Sequence, residues 1–130
     1  MTKLRLELFV RNASRSAAFY CRVLSFTQMV ERLERNAARY IVVQREDVRI
    51  ALVSLAYFHR FLRLGPLTYA RLPPVGTEII LEVEDLEATY RQVVASGYRL
   101  WAPMREQPWG SRDFRLCDPD GYYIRITTPS

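Results

Sequence analysis

The sequence predicts an α+β fold of two tandem βαβββ modules, on three observations. The first is size: 130 residues, 49% hydrophobic and 25% charged, supply the core of one domain and exclude a disordered chain. The second is an internal repeat. Arg5-Leu6-Glu7-Leu8-Phe9-Val10-Arg11-Asn12 aligns with Glu78-Ile79-Ile80-Leu81-Glu82-Val83-Glu84-Asp85 at an offset of 73 residues, and each stretch reads as a strand entering a helix. The third is turn chemistry, above all Asp118-Pro119-Asp120-Gly121 before a last apolar run, which closes a hairpin.

Each element follows from its own pattern. In the two first strands, Leu6, Leu8 and Val10, and Ile79, Leu81 and Val83, fall on one face at period two, while the residues between them point the other way. Asn12 and Asp85 stand where a side-chain oxygen can cap the free N–H groups of a helix. Helices are predicted over about Ser14–Val23, with Ala17, Ala18, Tyr20, Cys21 and Leu24 as the packing face, and about Leu86–Ser96, closed by Gly97. Strands follow at Phe26–Glu34, Ala38–Gln44 and Val48–Leu55, joined by turns at Arg35-Asn36 and Arg45-Glu46-Asp47. The second module continues with a strand at Arg99–Pro103, a loop holding Glu106-Gln107-Pro108-Trp109-Gly110, then strands at Arg112–Cys117 and Tyr122–Thr128. The expected domain is single, 1–130, with module one at about 1–55, a connector at about 56–75 and module two at about 76–130. The connector, rich in Tyr, Phe, Arg and Pro, is too apolar for a free linker and is expected to pack on a sheet or a partner chain.

Composition narrows the chemistry. One histidine, His59, argues against a metal site built on several imidazoles. It sits in the connector without a neighbouring Asp or Cys pattern and reads as a surface residue rather than a base. Cys21 and Cys117 form no CxxC pair and read as small buried thiols of a reducing compartment. No apolar run is long enough for a membrane span or a signal peptide. The expectation is a soluble cytoplasmic protein with no membrane partner. The net charge of +5 comes from 18 arginines and one lysine, and it is uneven, +8 over residues 1–72 and −3 over 73–130. Arginines scattered through strands and helices are more often solvated surface than a nucleic-acid footprint, so no nucleic-acid partner is expected. The opposite charges of the halves suit attraction within a chain or across a dimer.

The paired modules, with FYCRVLSF at Phe19–Phe26 and DPDGYYIRI at Asp118–Ile126, resemble the vicinal oxygen chelate superfamily of glyoxalase I, extradiol dioxygenases, fosfomycin-resistance enzymes and bleomycin-resistance proteins. The resemblance covers nearly the whole chain except the connector. Ser25 stands where the family commonly has glycine. The stretch EQPWGSRDFRLCDPDG, Glu106–Gly121, is similar to the Trp-Gly-x-Arg segment of the bleomycin-resistance-like members, the nearest group. The resemblance implies a curled, cup-shaped mixed sheet with helices on the outside, and a homodimer.

In the family's enzymes a divalent metal sits in the cup, held by His, Glu or Gln from the first strand of each module and Glu from the last, and polarises a substrate's adjacent oxygens. Carried over position by position, those slots hold Arg5, Glu78 and Arg125, with Ala51 the loosest match in the fourth strand. One carboxylate does not make a metal site, so no metal and no cofactor are expected. Arg5 and Arg125 are instead expected to ion-pair with Glu78, as a structural cluster or as part of a ligand site.

Strand parity places Arg5, Glu7 and Phe9, Glu78, Ile80 and Glu82, and Tyr123, Arg125 and Thr127 on the face away from the helices. A face mixing aromatics with a few polar groups suits a small molecule. Trp109 either stacks on a planar ligand or covers the sheet edge, and Arg112 either clamps an anionic group or stacks on Trp109. Tyr40, Tyr57, Phe58 and Phe61 belong to a second wall or to the core or an interface. The ligand-binding set is therefore Arg5, Glu7, Phe9, Glu78, Trp109, Arg112, Tyr123 and Arg125, with no catalytic residue assigned. The favoured function is metal-free binding of a small planar or aromatic molecule, antibiotic or metabolite, by sequestration. Arginines in the cup favour an anionic or neutral ligand over a cationic one such as bleomycin. The alternative is a lyase, dioxygenase or isomerase with a non-standard site, although a carboxylate held between arginines makes a weak base.

Overall fold

The computed structural model describes residues 1–33, 39–54 and 76–129, and the chain divides into two compact units, Met1–Leu72 and Pro73–Ser130. Among the described residues, each unit holds one helix on one four-stranded mixed sheet. The connector with Tyr57, Phe58, His59 and Phe61 lies outside the described residues, as does the turn at Arg35-Asn36.

The first unit contains β1 (Leu6–Val10), α1 (Ala13–Leu24), β2 (Thr27–Leu33), β3 (Arg39–Arg45) and β4 (Val48–Ser54), in sheet order β1-β4-β3-β2. β1 runs parallel to β4 and the other pairs are antiparallel, the βαβββ arrangement the repeat predicts. Alternation sends Leu8, Val10, Ile41, Val43, Ile50 and Leu52 into the core, where α1 covers them with Ala13, Ala17, Tyr20, Val23 and Leu24. Tyr20 is fully buried and meets Phe19 and Phe26 edge-on at 4.9 and 5.6 Å between ring centres, a geometry that suits the aromatic quadrupole. Asn12 caps α1, its side chain accepting from the Arg15 N–H at 3.0 Å. At the other end Ser25 takes φ +61° and ψ +30°, and the N–H groups of Ser25 and Phe26 turn back to the Tyr20 carbonyl, satisfying a helix-end acceptor.

The second unit repeats the plan with β5 (Glu78–Glu82), α2 (Leu86–Ala95), β6 (Ala102–Glu106), β7 (Arg112–Cys117) and β8 (Tyr123–Thr127), in sheet order β5-β8-β7-β6. β5 and β8 are parallel. Its core is Ile79, Leu81, Phe114, Leu116, Ile124 and Ile126 beneath Leu86, Thr89 and Val93 of α2, with Tyr90 edge-on to Phe114 at 5.0 Å. Asp85 caps α2 through the Ala88 N–H at 2.9 Å.

One strand lies elsewhere than the sequence predicts. β6 was expected over Arg99–Pro103 and occupies Ala102–Glu106. Tyr98 holds the approach, its hydroxyl donating to the Cys117 carbonyl at 2.5 Å. Pro103 falls in the register shift between Ala102 and Arg105, on an edge strand, where a residue without an N–H is tolerated. The strand then runs to Glu106 because the connection to β7 is tight, with Gln107 N–H bonded to the Ser111 carbonyl at 2.7 Å and Gly110 N–H to the Gln107 carbonyl at 2.9 Å.

Candidate functional site

Alternation along β5, β8 and β7 gives the second unit a sheet face opposite α2. Glu78, Ile80 and Glu82 are exposed while Ile79 and Leu81 are buried. Tyr123, Arg125 and Thr127 alternate with buried Ile124 and Ile126, and Asp113 and Arg115 alternate with buried Phe114 and Leu116. The register puts Glu78 opposite Tyr123 and Ile80 opposite Arg125. Across the other edge of β8, Cys117 faces Tyr123, Arg115 faces Arg125 and Asp113 faces Thr127.

Two guanidinium groups dominate this face. The Arg125 Nε lies 2.9 Å from a Glu78 carboxylate oxygen, close enough for strong ionic attraction. That Nε–H is nonetheless buried with no acceptor in hydrogen-bonding geometry among the described residues, so the contact is Coulombic and the donor is unsatisfied. Arg115 donates to the Tyr123 hydroxyl at 2.8 Å and approaches Asp113 at 3.4 Å. The Tyr123 hydrogen bond, and after it Asp113, push the Arg115 guanidinium above its ordinary pKa against the opposing effect of burial. Arg115 is therefore a fixed cation. Asp113 is 2% exposed and takes a second bond from the buried Gln107 side chain at 2.9 Å. Trp101, 70% exposed, stands edge-on to Tyr123 at 6.2 Å.

Of the residues predicted from sequence, Glu78, Tyr123 and Arg125 come together here. Arg5, Glu7 and Phe9 lie at the start of the first unit. There Arg5 is 3.6 Å from Glu7, Tyr40 donates to Glu7 at 3.1 Å, and Arg5 donates to the Tyr40 hydroxyl at 3.4 Å. The Arg5 side chain is 81% exposed, so this cluster is solvated and weak. Trp109 is exposed in the turn before β7. Arg112 lies out of phase with Asp113 and Arg115, and its guanidinium is held at 2.6 Å by Glu87 of α2, on the helix side of the sheet and apart from Glu78, Tyr123 and Arg125. The sequence reading missed Trp101, Gln107, Asp113 and Arg115. The alternation in Arg-Asp-Phe-Arg-Leu-Cys, residues 112–117, was the available signal.

The donor set does not fit the divalent metal that the resemblance implies. Ala51 lies opposite Glu7 as Arg125 lies opposite Ile80, so Ala51 and Arg125 are equivalent positions in the two modules. Arg5, Ala51, Glu78 and Arg125 contribute one carboxylate, and that carboxylate faces a guanidinium. Among the described residues no group of three or more His, Cys, Asp or Glu is placed to hold a metal ion. Burial pushes the thiols of Cys21 and Cys117 above their ordinary pKa, which makes them poor nucleophiles. Among the described residues no helix is long and apolar enough to cross a membrane.

Residues 77–126 match the sequence profile of the Glyoxalase/Bleomycin resistance protein/Dioxygenase superfamily. No curated protein matches the chain. Solved structures share the fold at low identity. TioX from Micromonospora sp. ML1 is 17% identical over 98% of each chain, with a TM-score of 0.74. A glyoxalase-related enzyme from Fulvimarina pelagi is 18% identical over 99% of this chain and 89% of that one, TM-score 0.74. A superfamily member from Sphaerobacter thermophilus DSM 20745 is 19% identical over 99% and 98%, TM-score 0.69. The second module thus carries the profile of the glyoxalase/bleomycin resistance protein/dioxygenase superfamily, and the fold of the chain is the one that solved members of that superfamily have.

Proposed function

We propose that the protein is a metal-free binding protein of the glyoxalase/bleomycin-resistance type. It holds a small planar or aromatic molecule, anionic or neutral rather than cationic, and sequesters an antibiotic or metabolite as a homodimer. The observation that carries this reading is the buried Nε–H of Arg125, which lies 2.9 Å from Glu78 but has no acceptor in hydrogen-bonding geometry among the described residues. An unpaired buried donor is costly, and a ligand oxygen would relieve it. Exposed Trp101 beside Tyr123 offers an aromatic surface on the same module. The enzyme alternative has less support. A base at Glu78 would have to give up its contact with Arg125, and the thiols are held neutral.

A thermal-shift screen of the full chain against aromatic acids, their neutral amides and aromatic amines tests the proposal, with Arg125→Ala and Trp101→Ala as controls. Acids and amides are expected to stabilise the parent and to lose that effect in the variants. Stabilisation by amines alone, or equal stabilisation of parent and variants, overturns it. So does a divalent ion retained stoichiometrically by protein purified without chelator.

A further inference from the structure

Arg115 and Arg125 are direct cross-strand partners on β7 and β8. Opposed side chains in an antiparallel pair sit close together, and like charges there repel. A sheet that only needed to be stable would put a carboxylate or an apolar residue at one of the two positions. Here each guanidinium has a carboxylate of its own, Asp113 for Arg115 and Glu78 for Arg125, so the pair is tolerated. Donors still outnumber acceptors. A guanidinium carries five N–H groups, whereas Arg115 donates to Tyr123 and Asp113, and the Arg125 Nε–H, 2.9 Å from Glu78, finds no acceptor in hydrogen-bonding geometry among the described residues. The two side chains are 21% and 23% exposed, so water reaches them only in part.

Arg115 is also braced. Asp113, buried, is gripped from the other side by the Gln107 amide, and the tight turn after β6 fixes Gln107 through its own backbone. The Tyr123 ring lies 5.9 Å from the Arg115 guanidinium carbon and carries Trp101 on its edge. Two guanidinium groups, a surplus of donors and an edge-to-face aromatic pair thus occupy one sheet face.

We infer that the Arg115–Arg125 pair is a seat for the carboxylate of an aromatic acid, whose ring lies against Trp101 and Tyr123. A carboxylate can accept N–H bonds from two guanidinium groups at once, taking up the donors that Asp113 and Glu78 leave over. Asp113 and Gln107 are positioning residues that aim Arg115. This inference rests on the binding function proposed above and names the ligand's chemical class.

Calorimetric titration of the full chain with 2-naphthoate, 2-naphthamide and 2-naphthyl phosphate tests it. The acid is expected to bind about tenfold or more tightly than the amide, the size of one charge-assisted hydrogen bond. Arg115→Gln and Arg125→Gln should each abolish that preference, weakening the acid about tenfold more than the amide. Arg115→Lys keeps the charge and loses the fork, and should keep only part of the preference. Gln107→Leu should lower affinity for the acid more than for the amide, a change in the acid-to-amide ratio that a merely structural role would not produce. Trp101→Ala should weaken acid and amide alike. Equal binding of acid and amide by the parent overturns the carboxylate seat while the binding function stands. So does an acid preference that survives Arg115→Gln and Arg125→Gln, or tighter binding of the phosphate than of the carboxylate. If acid, amide and phosphate all fail to bind, the seat and the binding function fall together.

Discussion

Ser25 closes α1 in the left-handed region, φ +61° and ψ +30°, where an L-residue brings Cβ against its own carbonyl at a cost of about 1–2 kcal/mol. Glycine has no Cβ and removes that cost, but it gives the unfolded chain freedom worth about 0.5–1 kcal/mol. Ser25→Gly is therefore expected to stabilise the protein by a net of about 0.5–1 kcal/mol, raising Tm by about 2–4 °C for a chain of this length. The N–H bond from position 25 to the Tyr20 carbonyl survives the change. Ser25 has a further interaction, so Ser25→Ala is the control. Alanine keeps Cβ and loses the hydroxyl, and the difference between the glycine and alanine variants isolates the backbone contribution. Urea unfolding followed by circular dichroism measures it, with an unchanged m-value as the check that the folded state is the same. A glycine variant no more stable than the alanine variant would refute the strain argument.

Phe114→Ala removes a fully buried ring that meets Tyr90 edge-on and should cost about 3–5 kcal/mol in the same assay. Glu87→Ala breaks a short ion pair whose side chains are both half exposed, so screening should hold its cost below about 1 kcal/mol. Arg112→Ala, on the helix side, should leave affinity for 2-naphthoate unchanged, and a tenfold loss would return Arg112 to the ligand site. The Cys21 and Cys117 thiols are raised by burial above the ordinary value of 9.0. Above that value the unfolded chain gives up its thiol protons before the folded chain does. Stability is then full below about pH 9 and falls as pH rises through the folded values. Urea midpoints measured from pH 7.5 to 10 should fall, and the fall should be shallower in Cys21→Ala and Cys117→Ala.

The elements that local rules define are the ones the sequence reveals. Asn12 and Asp85 mark the helix starts, and both helices end within a residue or so of their predicted limits, because caps and period are local signals. β6 is displaced because its place depends on Tyr98 reaching Cys117 and on a bulge at Pro103, contacts between residues distant in the chain or irregular in register. Alternation sufficed to bring Glu78, Tyr123 and Arg125 to one face. The pairing of Arg115 with Arg125 needs the register of β7 on β8 as well. The turn at Asp118–Gly121 sets that register, with Asp118 N–H bonded to the Tyr122 carbonyl. Arg112 shows the converse: its motif neighbours Trp109 and Gly110 suggested a place beside the other site candidates, but its phase in β7 sends it toward α2 and Glu87.

β8 is bracketed by β5 and β7, and its two faces carry opposite chemistry, Ile124 and Ile126 beneath the helix and Tyr123, Arg125 and Thr127 opposite. Inserting or deleting a single residue there would turn an arginine into the core and two isoleucines out of it. Side chains at alternate positions of β8 can thus vary between lineages without disturbing the core, while its length is effectively frozen. Variation in length has to collect at exposed turns, such as the one that carries Trp109.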